Sequence, residues 1–273
     1  FSAIESAGIN FHKVIISEEP SPEIIDEAVK RFINEDINLV VGIGGGSVLD
    51  ASKAISAMMY KTVSVKEFLE GVGARDHPGT KLPVIAVPTT SGTGSEATKN
   101  AVISQIGENG FKRSLRHDNF VPDIALIDPE LTIQCPKEIT AATGMDCFTQ
   151  LMEAYISDKS NQYTDALAME GLKEIKISLM QSYANGEDTE ARAGMSFAAL
   201  TSGICLANAG LGIVHGFASS IGGMYHIPHG LVCGTLMASS NEINVRQLRK
   251  KTTSAAALKK YALLGQLFLD ENG

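Results

Sequence analysis

Four polar side chains in the second half of the sequence have the types and spacing to hold a divalent metal. Asp146 and Gln150 lie four residues apart in a strong helical pattern, so they share one helix face. His215 sits in an Ala/Gly/Ile-rich segment, and His229 follows within Ile227-Pro228-His229-Gly230. Gly222, Gly223 and Pro228 would break a single helix, which puts the two histidines on two adjacent helices. Two imidazoles and a carboxylate from different helices can converge on a cation and leave one coordination position open for substrate. On spacing alone a purely structural role is favoured, because scattered polar residues are more often satisfied core or cap groups. His226 is a further candidate, as a hydrogen-bonding neighbour rather than a ligand.

A second chemistry is written in two glycine-rich turns. Gly42-Ile43-Gly44-Gly45-Gly46-Ser47 closes an apolar run and opens a helical pattern. There, backbone N–H groups and the helix dipole favour an anion, and glycines let a phosphate approach the chain. Gly42 and Gly44 match the first two glycines of the dinucleotide fingerprint, whereas Ser47 stands where the third belongs. Asp50, one turn further, suits the helix N-terminus with or without a ligand. Pro88-Thr89-Thr90-Ser91-Gly92-Thr93-Gly94-Ser95-Glu96 is the second turn, rich in short donors suited to a ribose, a phosphate or a carboxamide. A phosphate-binding P-loop needs Lys where Ser95 stands, which excludes a nucleoside triphosphatase. Either turn alone is also explained as a tight strand-to-helix connection. Two of them after two apolar runs favour one ligand shared across a sheet edge.

The elements that must position these groups fall into two halves. Ser21 and Pro22 read as N-cap and first residue of an amphipathic helix through Phe32. Residues 38–43, 83–88 and 123–128 are apolar runs expected as strands buried on both faces, and 47–59 reads as helix. This alternation predicts an α/β unit with a largely parallel sheet. After Thr132 the pattern turns helical, over 140–156, 163–183, 190–209 and near 255–269. The boundary falls near 133–138, giving units of 1–135 and 136–273. Both ends read as truncated within helical patterns.

Bulk properties narrow the class. Apolar residues make up 44% and charged residues 20%, the profile of a globular protein with a sizeable core. A net charge of −8 argues against nucleic-acid or anionic-membrane partners. No apolar run approaches the 18 or so residues of a membrane span. Cys135, Cys147, Cys205 and Cys233 form no CxxC pair and read as reduced thiols, which suits a cytoplasmic location.

Several of these segments occur together in one known family. Gly44-Gly45-Gly46-Ser47 with Asp50 and Lys53-Ala54, the Thr-Gly-Ser-Glu loop at 88–96, and Asp128-Pro129-Glu130-Leu131-Thr132 come first. Ala141 to Asp146, Glu153-Ala154-Tyr155, Asn208 to Gly216 and Pro228-His229-Gly230 follow in the same order. The chain resembles the iron-containing (group III) alcohol dehydrogenase family over nearly its whole length. The resemblance implies a Rossmann-like N-terminal domain with a parallel sheet and an all-helical C-terminal domain, the dehydroquinate synthase-like fold. It implies a cleft between them for NAD or NADP and Fe²⁺, with Zn²⁺ as the alternative metal. By matching motif, Gly45, Gly46 and Ser47 would hold the pyrophosphate. Thr89, Thr90 and Thr93 would line the cofactor, Lys112 would contact it, and Asp146, His215 and His229 would be metal ligands. Relative to family length, dozens of residues are missing at each end.

Two positions depart from the pattern. Gln150 stands where the family has its fourth ligand, a histidine, and offers only an amide oxygen. Ser219 stands where the family has a further histidine near the reaction centre.

The expected chemistry is metal-assisted hydride transfer between the nicotinamide and a small alcohol, aldehyde or ketone, in a homo-oligomer. Ser219 and His226 are the proton-relay candidates. The rivals are a metal-free carbonyl reductase on the same fold, a lyase or sugar-phosphate enzyme of the related dehydroquinate-synthase type, and a catalytically silent binding or assembly subunit.

Overall fold

The computed structural model describes residues 2–251 and 254–269. After a short helix α1 (Ser2–Ser6), helix α2 (Pro22–Phe32) begins where Ser21 accepts the N–H of Ile24 and Pro22 fixes the first turn. Its buried face, Ile25, Ala28, Val29 and Phe32, repeats at helical spacing. Strand β1 (Val40–Gly44) then runs into helix α3 (Gly46–Met58), and strand β2 (Val84–Pro88) pairs parallel to β1, Val40 against Val84 through Gly44 against Pro88. A later two-residue strand, Ile124–Ala125, lies parallel on the other side of β2.

The three apolar runs thus form the predicted parallel sheet, but it is not buried on both faces. Val41 and Ile43 are 46% and 50% exposed, and Ile124 and Leu126 are equally open. Helix α3 covers one face, and no other described element covers the other. An apolar run records that a strand wants cover without recording what supplies it.

Between β2 and Ile124 the chain forms an antiparallel hairpin, β3 (Asn100–Gln105) and β4 (Phe111–Arg116), that the sequence reading did not assign. Its inward residues Ala101, Ile103 and Leu115 are fully buried with Ile25, Ala54 and Phe120. The two-residue strand at Ile124 is therefore β5.

From residue 137 the described chain is helical: α4 (Lys137–Ile156), α5 (Gln162–Ala184), α6 (Thr189–Ala209), α7 (Ile213–Met224), α8 (His229–Leu248) and α9 (Ala255–Phe268). Cys147, Leu151, Leu172, Met195, Ala198 and Cys205 form its core. Among the described residues no single helix is long and apolar enough to cross a membrane.

Two of the contacts between the halves depend closely on residue type. Buried Arg192 on α6 donates to Thr140 Oγ1 and Gly186 O, and to the carbonyls of Ile133 and Cys135 in the connecting segment. Gly94, at φ +62°, sits against α6 so closely that a Cβ on Gly203 would stand 2.2 Å from the Gly94 carbonyl oxygen. No side chain fits that crossing, so glycine is required on both sides.

Candidate active site

A cleft of about 1140 Å³ runs from the glycine turn at the start of α3 to the first turns of α7 and α8. At its α/β end, Gly45 is the N-cap of α3 and Gly46 its first residue, so the free N–H groups of the helix open into the cleft. The Thr90–Thr93 loop lies across this turn. A Cβ on Gly45 would approach Thr90 Oγ1 to 3.2 Å, and one on Gly46 would approach Thr93 Cγ2 to 2.6 Å. Gly45, Gly46, Ser47, Asp50, Thr90 and Thr93 all line the cleft. Thr89 instead extends the β1–β2 ladder, its N–H donating to Gly44 O at 2.9 Å.

Asp50 has a structural role at the cleft wall. It accepts from Ser95 Oγ at 2.5 Å and from the Val102 N–H at 3.1 Å, and it pairs with Lys53 at 3.0 Å. Lys112, on β4, faces the cleft and is paired with Glu19. Burial alone would raise Glu19, but the Lys112 ammonium holds its carboxyl below the usual range.

At the helical end, Asp146 of α4, His215 of α7 and His229 of α8 come together, and Cys233 of α8 joins them. One donor atom from each lies within 4.8 Å of all the others. His215 Nε2 is 3.1 Å and His229 Nε2 3.7 Å from Asp146 Oδ1. Cys233 Sγ is 3.8 Å from His215 Nε2 and 3.7 Å from His229 Nε2.

The local sequence explains the aim of each group. His215 lies in the first turn of α7, and Glu153 of α4 closes that helix end. Its carboxylate accepts the N–H groups of Gly212 at 3.0 Å and Val214 at 2.7 Å, the site where a helix attracts an anion. The same carboxylate holds His215 Nδ1 at 2.7 Å, which turns Nε2 toward Asp146. Cys233 follows His229 by four residues on α8, so both project from one face.

Electrostatics bind the cluster together. Burial would raise Asp146, but the facing imidazoles of His229 and His215 hold its carboxyl down to about 2. Burial works against a charged His215, yet its hydrogen bonds to Asp146, Cys233 and Glu153 lift it well above the ordinary imidazole value. Burial lowers His229 despite the pull of Asp146.

The donor set fits a divalent cation. It joins a buried ionised carboxylate, two imidazole nitrogens and a thiol, with a carboxylate behind one histidine as in many metal centres. His229 Nδ1 is buried without a hydrogen-bond partner, so among the described residues nothing behind that ring orients it as Glu153 orients His215.

The remaining candidates are placed differently. Gln150 is buried one turn beyond Asp146 and lines the cleft, with its Oε1 3.1 Å from Ser202 Oγ of α6. Ser219, one turn beyond His215, lines the cleft. His226 is exposed in the turn between α7 and α8, and it is absent from the cleft wall. Glu153 and Cys233 were not selected from the sequence as site residues. Both carried a signal in their spacing, seven residues after Asp146 and four after His229.

A glycine-turn α/β unit and a helical unit meet at one cleft that carries an Asp/His/His cluster at its helical end. The chain belongs to the iron-containing alcohol dehydrogenase family. The model of that family matches residues 1–129, and the model of its C-terminal part, the Fe-containing alcohol dehydrogenase family, matches residues 140–265. Long-chain-alcohol dehydrogenase 1 of Geobacillus thermodenitrificans is 37% identical over 230 residues, covering 84% of this chain and 58% of the relative. The NAD-dependent methanol dehydrogenase of Bacillus methanolicus is 37% identical over 213 residues, covering 78% and 55%. Among solved structures, an iron-containing alcohol dehydrogenase of Thermotoga maritima superposes with a TM-score of 0.83 at 28% identity, covering 98% of this chain and 70% of that one. The chain thus spans little more than half the length of these two curated relatives.

Proposed function

We propose that the protein transfers a hydride between NAD(P) and a small alcohol or aldehyde, assisted by a metal held at Asp146, His215 and His229. The observation that carries this reading is the single cleft, which opens onto the free N–H groups of α3 at one end and the Asp146 cluster at the other. The names of the relatives point the same way, one of them to NAD.

Each group has a stated task. The N–H groups of Gly46 and Ser47 bind the pyrophosphate, and Gly45 keeps the approach open. Thr90 and Thr93 orient the nucleotide beside that turn, and Lys112, already paired with Glu19, places a positive charge along the cofactor's path. Asp50 and Thr89 hold the two turns in register rather than touching the ligand. When bound, Fe²⁺ or Zn²⁺ supplies Lewis-acid polarisation of the substrate oxygen. Asp146, His215 and His229 fix its position, and Ser219 passes the substrate's hydroxyl proton toward solvent. His226, outside the cleft, takes no part in that relay.

We further read residues 1–135 as the nucleotide unit and 136–273 as the metal and substrate unit, in a cytoplasmic homo-oligomer. The test uses the full-length protein purified under nitrogen. Bound metal is measured alongside NADH and NADPH oxidation with short aldehydes, with and without chelator. Near-stoichiometric metal, lost together with turnover in Asp146→Ala, is the expected result. Turnover indifferent to chelator moves the reading to a metal-free carbonyl reductase. Tight cofactor binding without turnover moves it to a binding subunit.

A further inference from the structure

We infer that Cys233 is the fourth metal ligand of this chain, taking the place left by Gln150, so that the centre is an Asp/His/His/thiolate site. The inference rests on the metal reading proposed above and deepens it, because it sets which metal the site prefers.

Four observations support it. Cys233 is completely buried, and its Sγ lies almost equidistant from the two imidazole nitrogens that face Asp146, 3.8 and 3.7 Å. Bonds of about 2.0 Å to nitrogen or oxygen and about 2.3 Å to sulfur put the edges of a tetrahedral site at roughly 3.3 to 3.6 Å. Four of the donor separations, 3.1, 3.7, 3.7 and 3.8 Å, lie within a few tenths of an ångström of those edges, and all the donors lie within 4.8 Å of one another. Helical spacing holds Cys233 beside His229, so the thiol arrives on a rigid element rather than a loop.

The other ligand candidate, Gln150, has its Oε1 3.1 Å from Ser202 Oγ on α6, and it is not among the four groups that cluster at Asp146.

Metal binding deprotonates the thiol, and the proton leaves through the cleft to solvent. A thiolate among two imidazoles and a carboxylate shifts preference toward Zn²⁺, and toward Co²⁺ as its spectroscopic stand-in, relative to an all-oxygen/nitrogen set.

The test is Co²⁺ loading of the full-length apoprotein under nitrogen, read by absorption. The expected result is a near-ultraviolet sulfur-to-cobalt charge-transfer band that saturates at one equivalent. Zn²⁺-loaded protein is expected to show one sulfur neighbour at about 2.3 Å by X-ray absorption. Cys233→Ala should lose the band and weaken metal binding at least about tenfold, while Gln150→Ala and Cys205→Ser keep both. Stoichiometric Co²⁺ without the band in the unmodified protein overturns the inference and leaves the metal reading standing, and it needs no variant to fold. A band that survives in Cys233→Ala overturns it equally. Failure to bind any metal overturns the metal reading itself, and the inference with it.

Discussion

Glu153 binds His215 in two ways at once: its Oε2 lies 2.7 Å from the ring Nδ1, and the same carboxylate accepts the Gly212 and Val214 N–H groups at the start of the helix carrying that histidine. Backbone and side chain are therefore oriented by one anion. Burial would raise Glu153, but the His215 hydrogen bond and charge keep its carboxyl below the usual range.

The first prediction follows from that double role. Glu153→Gln keeps an acceptor for Nδ1 but removes the charge, and Glu153→Ala removes both. Metal affinity, measured by competition with a chelator, should fall by about tenfold in the first variant and about a hundredfold in the second. Helical content should persist in both. Equal affinities in all three proteins would show that the ring is oriented by packing alone.

The glycine turn makes a separable prediction. A Cβ at Gly46 would meet Thr93 Cγ2 at 2.6 Å and Oγ1 at 2.9 Å, so Gly46→Ala must push the Thr93 loop into the cofactor's space. NADH or NADPH affinity should fall by about tenfold, with metal stoichiometry unchanged. Adding Thr93→Ser removes the clashing methyl and keeps the hydroxyl, and should recover part of the loss. A double variant no better than the single one would assign the defect to the backbone of Gly46 instead.

Lys53 is a stability prediction. Its ammonium is buried among Asp50, the carbonyls of Ser95 and Asn100, and Thr98 Oγ1, at 2.5 to 3.0 Å. It ties α3 to the second turn and to β3. Lys53→Met fills the volume but strands Asp50 and two carbonyls, and should cost about 3 to 5 kcal/mol in urea unfolding. A loss below about 1 kcal/mol would mean that Ser95 and Val102 satisfy Asp50 without the lysine.

How much of this was legible in the sequence depends on how local each requirement is. The Ser21–Pro22 helix start, the turn at Gly45–Gly46 and the placing of His215 and His229 on separate helices depend on backbone rules within a few residues, and all three appear in the structure. The hairpin at 100–116 was also readable, since Ala101-Val102-Ile103-Ser104 and the Gly107–Gly110 turn carry ordinary strand and turn signals. The i,i+4 relation between His229 and Cys233 is equally local, but it joins two residue types and does not show in the spacing of the cysteines alone. Two features depend on long-range packing that no window reveals: the open face of the sheet, and the Gly94–Gly203 crossing that joins the halves.

The last prediction concerns pH and lies far from the metal cluster. His77 is held as a neutral ring: Nδ1 accepts the Gly79 N–H at 3.0 Å, and Nε2 donates to Ala57 O at 3.2 Å. The ring stands edge-on between Phe68 and Phe120. Burial, with the nearby charge of Lys61, lowers its pKa to about 4. The unfolded chain titrates near 6.5, so between the two values the unfolded state binds the extra proton. The neutral ring's contribution is then complete above about pH 6.5 and is lost as pH falls toward 4. His77→Phe keeps the aromatic packing and cannot titrate, so it should be less stable than the unmodified protein at pH 7.5. By pH 4.5 the gap should narrow by on the order of 2 kcal/mol. Urea midpoints for the two proteins at matched metal loading check this, because other titrating groups cancel in the difference. A gap of constant size across that range would mean that the folded and unfolded chains titrate His77 alike, and would remove the switch.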